Sequence, residues 1–188
     1  MTKRCIPVLI ILLTAGVLYA GAAWVPSAEI RLGYYGAVPL ADSLKTDIPL
    51  RTQGFGQLVL NPVSIKAGRV GFSVSGVLGF VTRSPVYDQT RLKSFSCVGG
   101  RAAISFYCDD FLAFELSGTL GKGYYGGDVR FGFVSASLGA LFTLVDDGSV
   151  FLALSVPLEV SYRKDILGVC AGVGLRVGFD GYPRGGEL

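Results

Sequence analysis

From Ile166 to Asp180 the chain alternates without a fault. Leu167, Val169, Ala171, Val173, Leu175, Val177 and Phe179 fill the odd positions; glycines, Cys170, Arg176 and Asp180 fill the even ones after Ile166. A period of two is the side-chain period of a β-strand, whose successive Cβ atoms point to opposite faces. The preceding segment repeats the pattern. Val150, Leu152, Leu154, Val156, Leu158, Val160 and Tyr162 make one face, and Phe151, Ala153, Ser155, Pro157, Glu159, Ser161 and Arg163 the other. Only Arg163–Asp165 separates the two runs, so they read as a hairpin. Strands of soluble sheets usually have about five or six residues, whereas about ten residues in a tilted strand cross a bilayer. A soluble β-sandwich, the alternative, exposes charge and buries bulk. Here a continuous aliphatic face opposes glycine, serine and isolated charges. That suits lipid on one side and a crowded polar interior on the other.

Six further runs precede these two. They are Ala28–Pro39, Phe55–Ile65, Arg69–Thr82, Leu92–Cys108, Phe111–Leu120 and Asp128–Val145, the second of them weakly patterned. Turn residues at Lys66–Gly68, Cys108–Asp110 and Asp146–Ser149 alternate with longer links at Leu40–Gly54, Ser84–Arg91 and Gly121–Gly127. Short turns on one side and long loops on the other are the habit of outer membrane barrels. In the sixth run the apolar face passes from Val129, Phe131 and Phe133 to Val134, Ala136, Leu138, Ala140, Phe142 and Leu144. One extra residue inverts an alternation, so a bulge is expected near Phe133–Val134. Pro62 and Pro157 each remove a ladder hydrogen bond and are expected to be local defects near strand ends.

Composition sharpens this reading. The chain has 188 residues, enough for one domain, and only 16% are charged, against about a quarter in soluble domains. Lys3 and Arg4 open an otherwise uncharged stretch to residue 28, with an apolar core from Ile6 to Leu18 and small residues at Ala20–Ala23. This predicts a secretory signal peptide over 1–22, cut after Ala22 or Ala23; an uncleaved anchor is the alternative. Without Lys3 and Arg4, 15 basic residues face 14 acidic ones, so no basic face for nucleic acid is expected. No later segment is apolar for the roughly eighteen residues a helical span needs. A chain that crosses lipid without helices must close as a barrel, because every backbone polar group there needs a partner. The fold class predicted is all-β: an eight-stranded transmembrane antiparallel up-and-down barrel over 28–180, with a short tail at 181–188.

There is no histidine. That removes the commonest general base and zinc ligand. Serines are plentiful, but no base is apparent to activate one. Cys97, Cys108 and Cys170 match no metal or redox spacing and are expected to pack as small residues. Gly121-Lys122-Gly123-Tyr124-Tyr125-Gly126 fits GxGxxG by letters. It lies between strands, however, whereas a dinucleotide site needs a helix after it, so a glycine-rich loop is expected. Asp109-Asp110 and Asp146-Asp147 are too few carboxylates for a calcium site and read as turn residues. No catalytic residue, metal site or cofactor is predicted.

The alternation places Glu29, Arg31, Arg101, Glu115, Glu159, Arg163 and Arg176 inward, as a lumen charge network. Pairing of the first and last strands is expected to set Arg176 near Gly33, about one layer above Arg31, with Glu115 at a similar height. Eight strands leave an interior only wide enough for side chains to fill, so these charges must pair or meet water. They act either as a plug or as a gate in which Glu115 or Glu159 exchanges partners. Tyr34, Phe80, Tyr162 and Phe179 are expected in the aromatic girdle at the membrane interface.

The pattern and length of 28–180 resemble the small eight-stranded outer membrane barrels of the OmpW, OmpX and OmpA-barrel type. Gly174-Leu175-Arg176-Val177-Gly178-Phe179 looks like the final-strand assembly signal of such barrels, carried by Gly174, Val177 and Phe179. It departs in having Gly172 where a polar residue is usual and in being followed by Asp180–Leu188. The resemblance implies a bacterial outer membrane location, with outer membrane lipid and the barrel assembly machinery as partners. It leaves two functions open. One is an OmpW-like narrow conduit for small solutes, hydrophobic ones included, through a charged, partly plugged lumen. The other is a closed OmpX-like barrel for surface binding or envelope stability. Histidine-dependent chemistry of small outer membrane lipid-modifying enzymes and proteases is not available to this chain. The longest link, Leu40–Gly54, carries Leu44, Ile48 and Leu50 among charges, as a cover for a hydrophobic mouth or as a surface epitope.

Overall fold

A sheet with two free edges would leave a row of unpaired backbone groups at each; here each edge finds the other. The computed structural model describes residues 23–40, 51–82, 94–125, 129–163 and 166–179. The predicted leader, the C-terminal tail, the whole link Ser84–Arg91, and parts of the links Leu40–Gly54, Gly121–Gly127 and Arg163–Asp165 lie outside the described residues. Nine β segments are formed: β1 (Ala23–Trp24), β2 (Ser27–Pro39), β3 (Arg51–Ala67), β4 (Val70–Val81), β5 (Phe95–Tyr107), β6 (Leu112–Tyr125), β7 (Val129–Asp146), β8 (Val150–Arg163) and β9 (Ile166–Phe179). Strands β2 to β9 pair antiparallel with their chain neighbours; β2–β9 pairing completes the closed eight-stranded barrel. The two-residue β1 continues the line of β2 along β3. No described helix is long and apolar enough to cross a membrane.

The faces sort as lipid outside and polar inside require. Ile30, Leu32, Leu78, Leu116, Leu138, Leu158, Val173 and Leu175 stand exposed on the outer wall, while eight serines and all seven predicted lumen charges are buried. Tyr34, Phe80, Tyr162 and Phe179 also face outward. The three described turns lie at one end. Gly68 (φ 57°) turns β3 into β4, and Gly148 (φ 86°) turns β7 into β8; both occupy the left-handed region that glycine enters without strain. In the β5–β6 turn the Asp109 carboxylate accepts the amide hydrogens of Phe111 and Leu112 at 2.8 and 2.7 Å. Those of Asp146 and Asp147 accept amides in the β7–β8 turn.

Four expectations are corrected. The register of β6 and β7 runs unbroken through Phe133 and Val134, so no bulge lies there. Phe131 and Phe133 point into the lumen, and the apparent change of face is a change of side-chain chemistry within one regular strand. The irregularity of β7 falls at Thr143–Val145. Pro62 and Pro157 are not near strand ends. Pro62 lies in a bulge of β3 between Leu60 and Val63. The bulge is held inside by Asn61, whose side-chain amide donates to the Ser27 hydroxyl at 2.9 Å and accepts from the Ser75 hydroxyl. Outside, the Trp24 indole donates to the Pro62 carbonyl at 2.9 Å. Pro157 sits in mid-strand opposite Gly139. Gly121 and Gly123 belong to β6 and not to a loop. Finally, Arg176 pairs with Glu29, and Gly33 pairs with Gly172. Turn positions alone do not set the stagger at closure, and it is two layers different from the expected one.

Candidate functional site: the filled lumen

Each lumen residue comes from an inward position of a regular strand, so its place follows from parity. Height follows from register. At mid-barrel, five charges from four strands meet: Glu29 and Arg31 (β2), Arg101 (β5), Glu115 (β6) and Arg176 (β9). All are buried; Glu29 is 0% exposed and Arg31 2%.

Arg176 is the common partner. Its guanidinium donates to Glu115 through Nη1 to Oε2 at 2.9 Å and Nη2 to Oε1 at 3.0 Å, a parallel fork. It also donates to Glu29 Oε2 through Nη2 at 2.6 Å and Nε at 3.0 Å. Arg31 grips Glu29 bidentately, at 2.6 and 3.1 Å, and its Nη2 lies 3.6 Å from Glu115 Oε1. Arg101 donates to Glu115 and, through Nε, to the Ser117 hydroxyl at 3.0 Å. The Ser155 hydroxyl donates to Glu29 at 2.5 Å and that of Ser105 to Glu115 at 3.3 Å. Buried charges persist only where partners and hydrogen bonds replace lost water; both carboxylates have several. β9 and β6 are separated by two strands around the wall. The Arg176–Glu115 fork therefore reaches across the lumen and ties opposite walls together.

The network divides the interior. Towards the turn-bearing end lies a polar cavity with Ser73, Ser105, Lys66, Asp110 and Asp146 on its walls and Glu115 and Arg176 among its lining. Towards the other end the lumen becomes aromatic. Tyr35, Phe55, Phe95, Phe131 and Phe133 line a second cavity, together with Cys97, Cys170, Glu159, Ser161 and Arg163. Phe95 packs edge-on against Tyr35 and Phe131, with ring centres 5.8 and 5.6 Å apart. The Arg163 guanidinium carbon lies 4.1 Å from the Phe95 ring centre, 5.0 Å from that of Phe131 and 5.7 Å from that of Tyr35. Its Nε also donates to the Tyr35 hydroxyl at 3.3 Å. Such geometry is a cation–π cage.

Of the seven predicted lumen charges, five form one network, and Glu159 and Arg163 stand apart in the aromatic chamber. The chamber itself was absent from the sequence reading. Its signal was available in the inward parity of Phe95, Phe131 and Phe133. Among the described residues no cluster of metal-ligating side chains occurs. Cys97, Cys108 and Cys170 are free thiols.

No protein-family model matches the chain, and no curated protein matches it. Solved structures do. Neisserial surface protein A (NspA) superposes with a TM-score of 0.55 at 12% identity, over 84% of this chain and 96% of that one. The attachment invasion locus protein Ail of Yersinia pestis gives a TM-score of 0.49 at 11% identity, over 83% and 99%. The superposition on NspA, with the closed eight-stranded topology, gives the fold of the small outer membrane barrels.

Proposed function

We propose that this is an exported outer membrane barrel whose lumen is closed at mid-height. It would act through its outer end, in surface binding or envelope stability, rather than as an open conduit. The observation that carries this reading is the bridge of Arg176 to Glu29 and Glu115 from across the lumen. An interior of eight strands is only wide enough for side chains to fill, and these fill it with fixed, mutually paired charge. The apolar outer wall supports a lipid setting. Gly174, Val177 and Phe179 would serve recognition by the assembly machinery. The reading includes no catalysis and no cofactor.

A gated conduit is the second reading. It is favoured by cavities on both sides of the network, which leave one constriction to open. Conductance of the refolded mature chain in a planar bilayer separates the two. A silent bilayer, with insertion shown by heat-dependent gel migration, is expected for the wild type. Discrete openings that change in Glu115→Gln and Arg176→Gln would overturn the closed reading in favour of the gate.

A further inference from the structure

Of the three glutamates among the predicted lumen charges, Glu159 is the one that the network does not use. It lies on β8 opposite Ser137 on one side and Cys170 on the other. Its exposure is 9%, and it lines the aromatic chamber. Among the described residues it makes no hydrogen bond or ion pair, whereas Glu29 and Glu115 each have several. Its oxygens are not sealed in protein but open to the chamber, where a ligand can supply the partner that the walls do not. The surrounding walls are largely aromatic, and they already hold one cation, the Arg163 guanidinium. They offer the negative faces of aromatic rings, and Arg163 stacked on Phe95 and Phe131 demonstrates that these walls hold an organic cation. They offer few oxygens, which disfavours a hard metal ion needing six to eight.

We propose that the chamber binds a small organic cation, with a primary ammonium head against Glu159 and the rings of Phe55 and Phe133 beside it. The space open to the centres of water-sized bodies is about 40 Å³. One water needs roughly 10–15 Å³ by that measure, so the site takes a compact head group and not a bulky one. The proposal rests on the closed-barrel reading only for the side from which the ligand arrives. Binding in detergent micelles is independent of conductance, so failure of one does not imply failure of the other.

The test is a titration of the full chain, refolded in micelles, with methylammonium chloride against sodium chloride at matched ionic strength, followed by amide NMR. Saturable shifts at Ser137, Glu159, Ser161 and Cys170 with methylammonium, absent with sodium, are expected. Glu159→Gln should weaken binding at least tenfold. Phe133→Leu, which keeps the carboxylate, should weaken it severalfold. If Glu159→Gln fails to show heat-dependent migration, Glu159→Asp replaces it, with a severalfold loss expected. Shifts that do not saturate, that sodium reproduces, or that survive unchanged in the folded Glu159 variant would overturn the proposal.

Discussion

Removing Arg176 would leave Glu29 and Glu115 in one buried layer with less positive charge than the fold supplies now. Three arginines face two carboxylates there, so the loss of one brings the count to two against two. Arg176 nevertheless makes four of the hydrogen bonds to those carboxylates. Breaking a buried ion pair by removing one partner costs about 3–5 kcal/mol. Arg176→Met is therefore expected to destabilise by about 3 kcal/mol, read from urea unfolding in vesicles with Trp24, the single tryptophan, as reporter. Glu159→Gln breaks no pair and should change stability by less than about 1 kcal/mol. An equal loss in both variants would mean that Glu159 is paired. Asp147 behaves differently because it lies in an exposed turn. The amides of Val150 and Ser149 and the Ser149 hydroxyl hold its carboxyl down at about 2. A lowered folded value stabilises above the unfolded one, near 4, and that gain is lost as pH falls towards the folded value. The stability gap between wild type and Asp147→Ala should thus be present above about pH 4 and close towards about pH 2. A gap that widens in acid would refute the hydrogen-bonded carboxylate.

Glycine on one strand faces an aromatic ring on the next in five places among the described residues. The cross-strand pairs are Gly33–Phe55, Gly56–Phe80, Gly121–Phe133, Gly123–Phe131 and Gly178–Phe151. A Cβ at each of these glycines would meet that ring, so the ring lies over the neighbouring backbone in the space a side chain would take. The arrangement covers glycine, which is a poor strand former by itself. Gly123→Val should destabilise by about 1–3 kcal/mol, as overpacking does. Combining it with Phe131→Leu should recover part of that loss, and additive effects in the double-mutant cycle would refute the contact. These pairs also mark the limit of what was legible in the chain. Alternation located the eight barrel strands, because lipid against polar lumen writes a period of two on each, weakened in Phe55–Ile65 where the bulge at Pro62 breaks it. It failed where the lumen stops being polar. Phe131 and Phe133 imitated a shift of phase, and Gly121 and Gly123 imitated a loop, since the partner that explains each residue sits on another strand. The charges were assignable to the lumen by parity. Their partners were not, because partner choice depends on the closing register of β2 with β9, which no local pattern encodes.

For the molecule as a whole, the same outer surface that would aggregate in water is the one a bilayer requires. Its apolar residues form continuous rows around the wall, such as Ile104, Leu116, Leu138, Leu158 and Ala171 through successive pairings. Such a belt makes a prediction that no soluble barrel shares, namely a cost that depends on depth. Leu138 is 58% exposed at about mid-height, and Trp24 is 60% exposed at the turn-bearing end. By exposure alone, arginine at either position should be tolerated equally. In a bilayer, arginine at the midplane costs about 2–4 kcal/mol and near the interface about 0–1. Leu138→Arg should therefore lose about 2–4 kcal/mol in vesicles. Trp24→Arg should lose less, beyond what the missing hydrogen bond to Pro62 removes. That contribution is measured separately with Trp24→Phe, and since Trp24 is the only tryptophan, unfolding of these variants is followed by gel mobility. Equal costs at the two depths would argue for a water-facing wall and would undo the membrane reading of the fold. A graded loss would place the hydrocarbon across the row that contains Leu138. The charge network lies inside that same band, where its glutamates and arginines are held by one another.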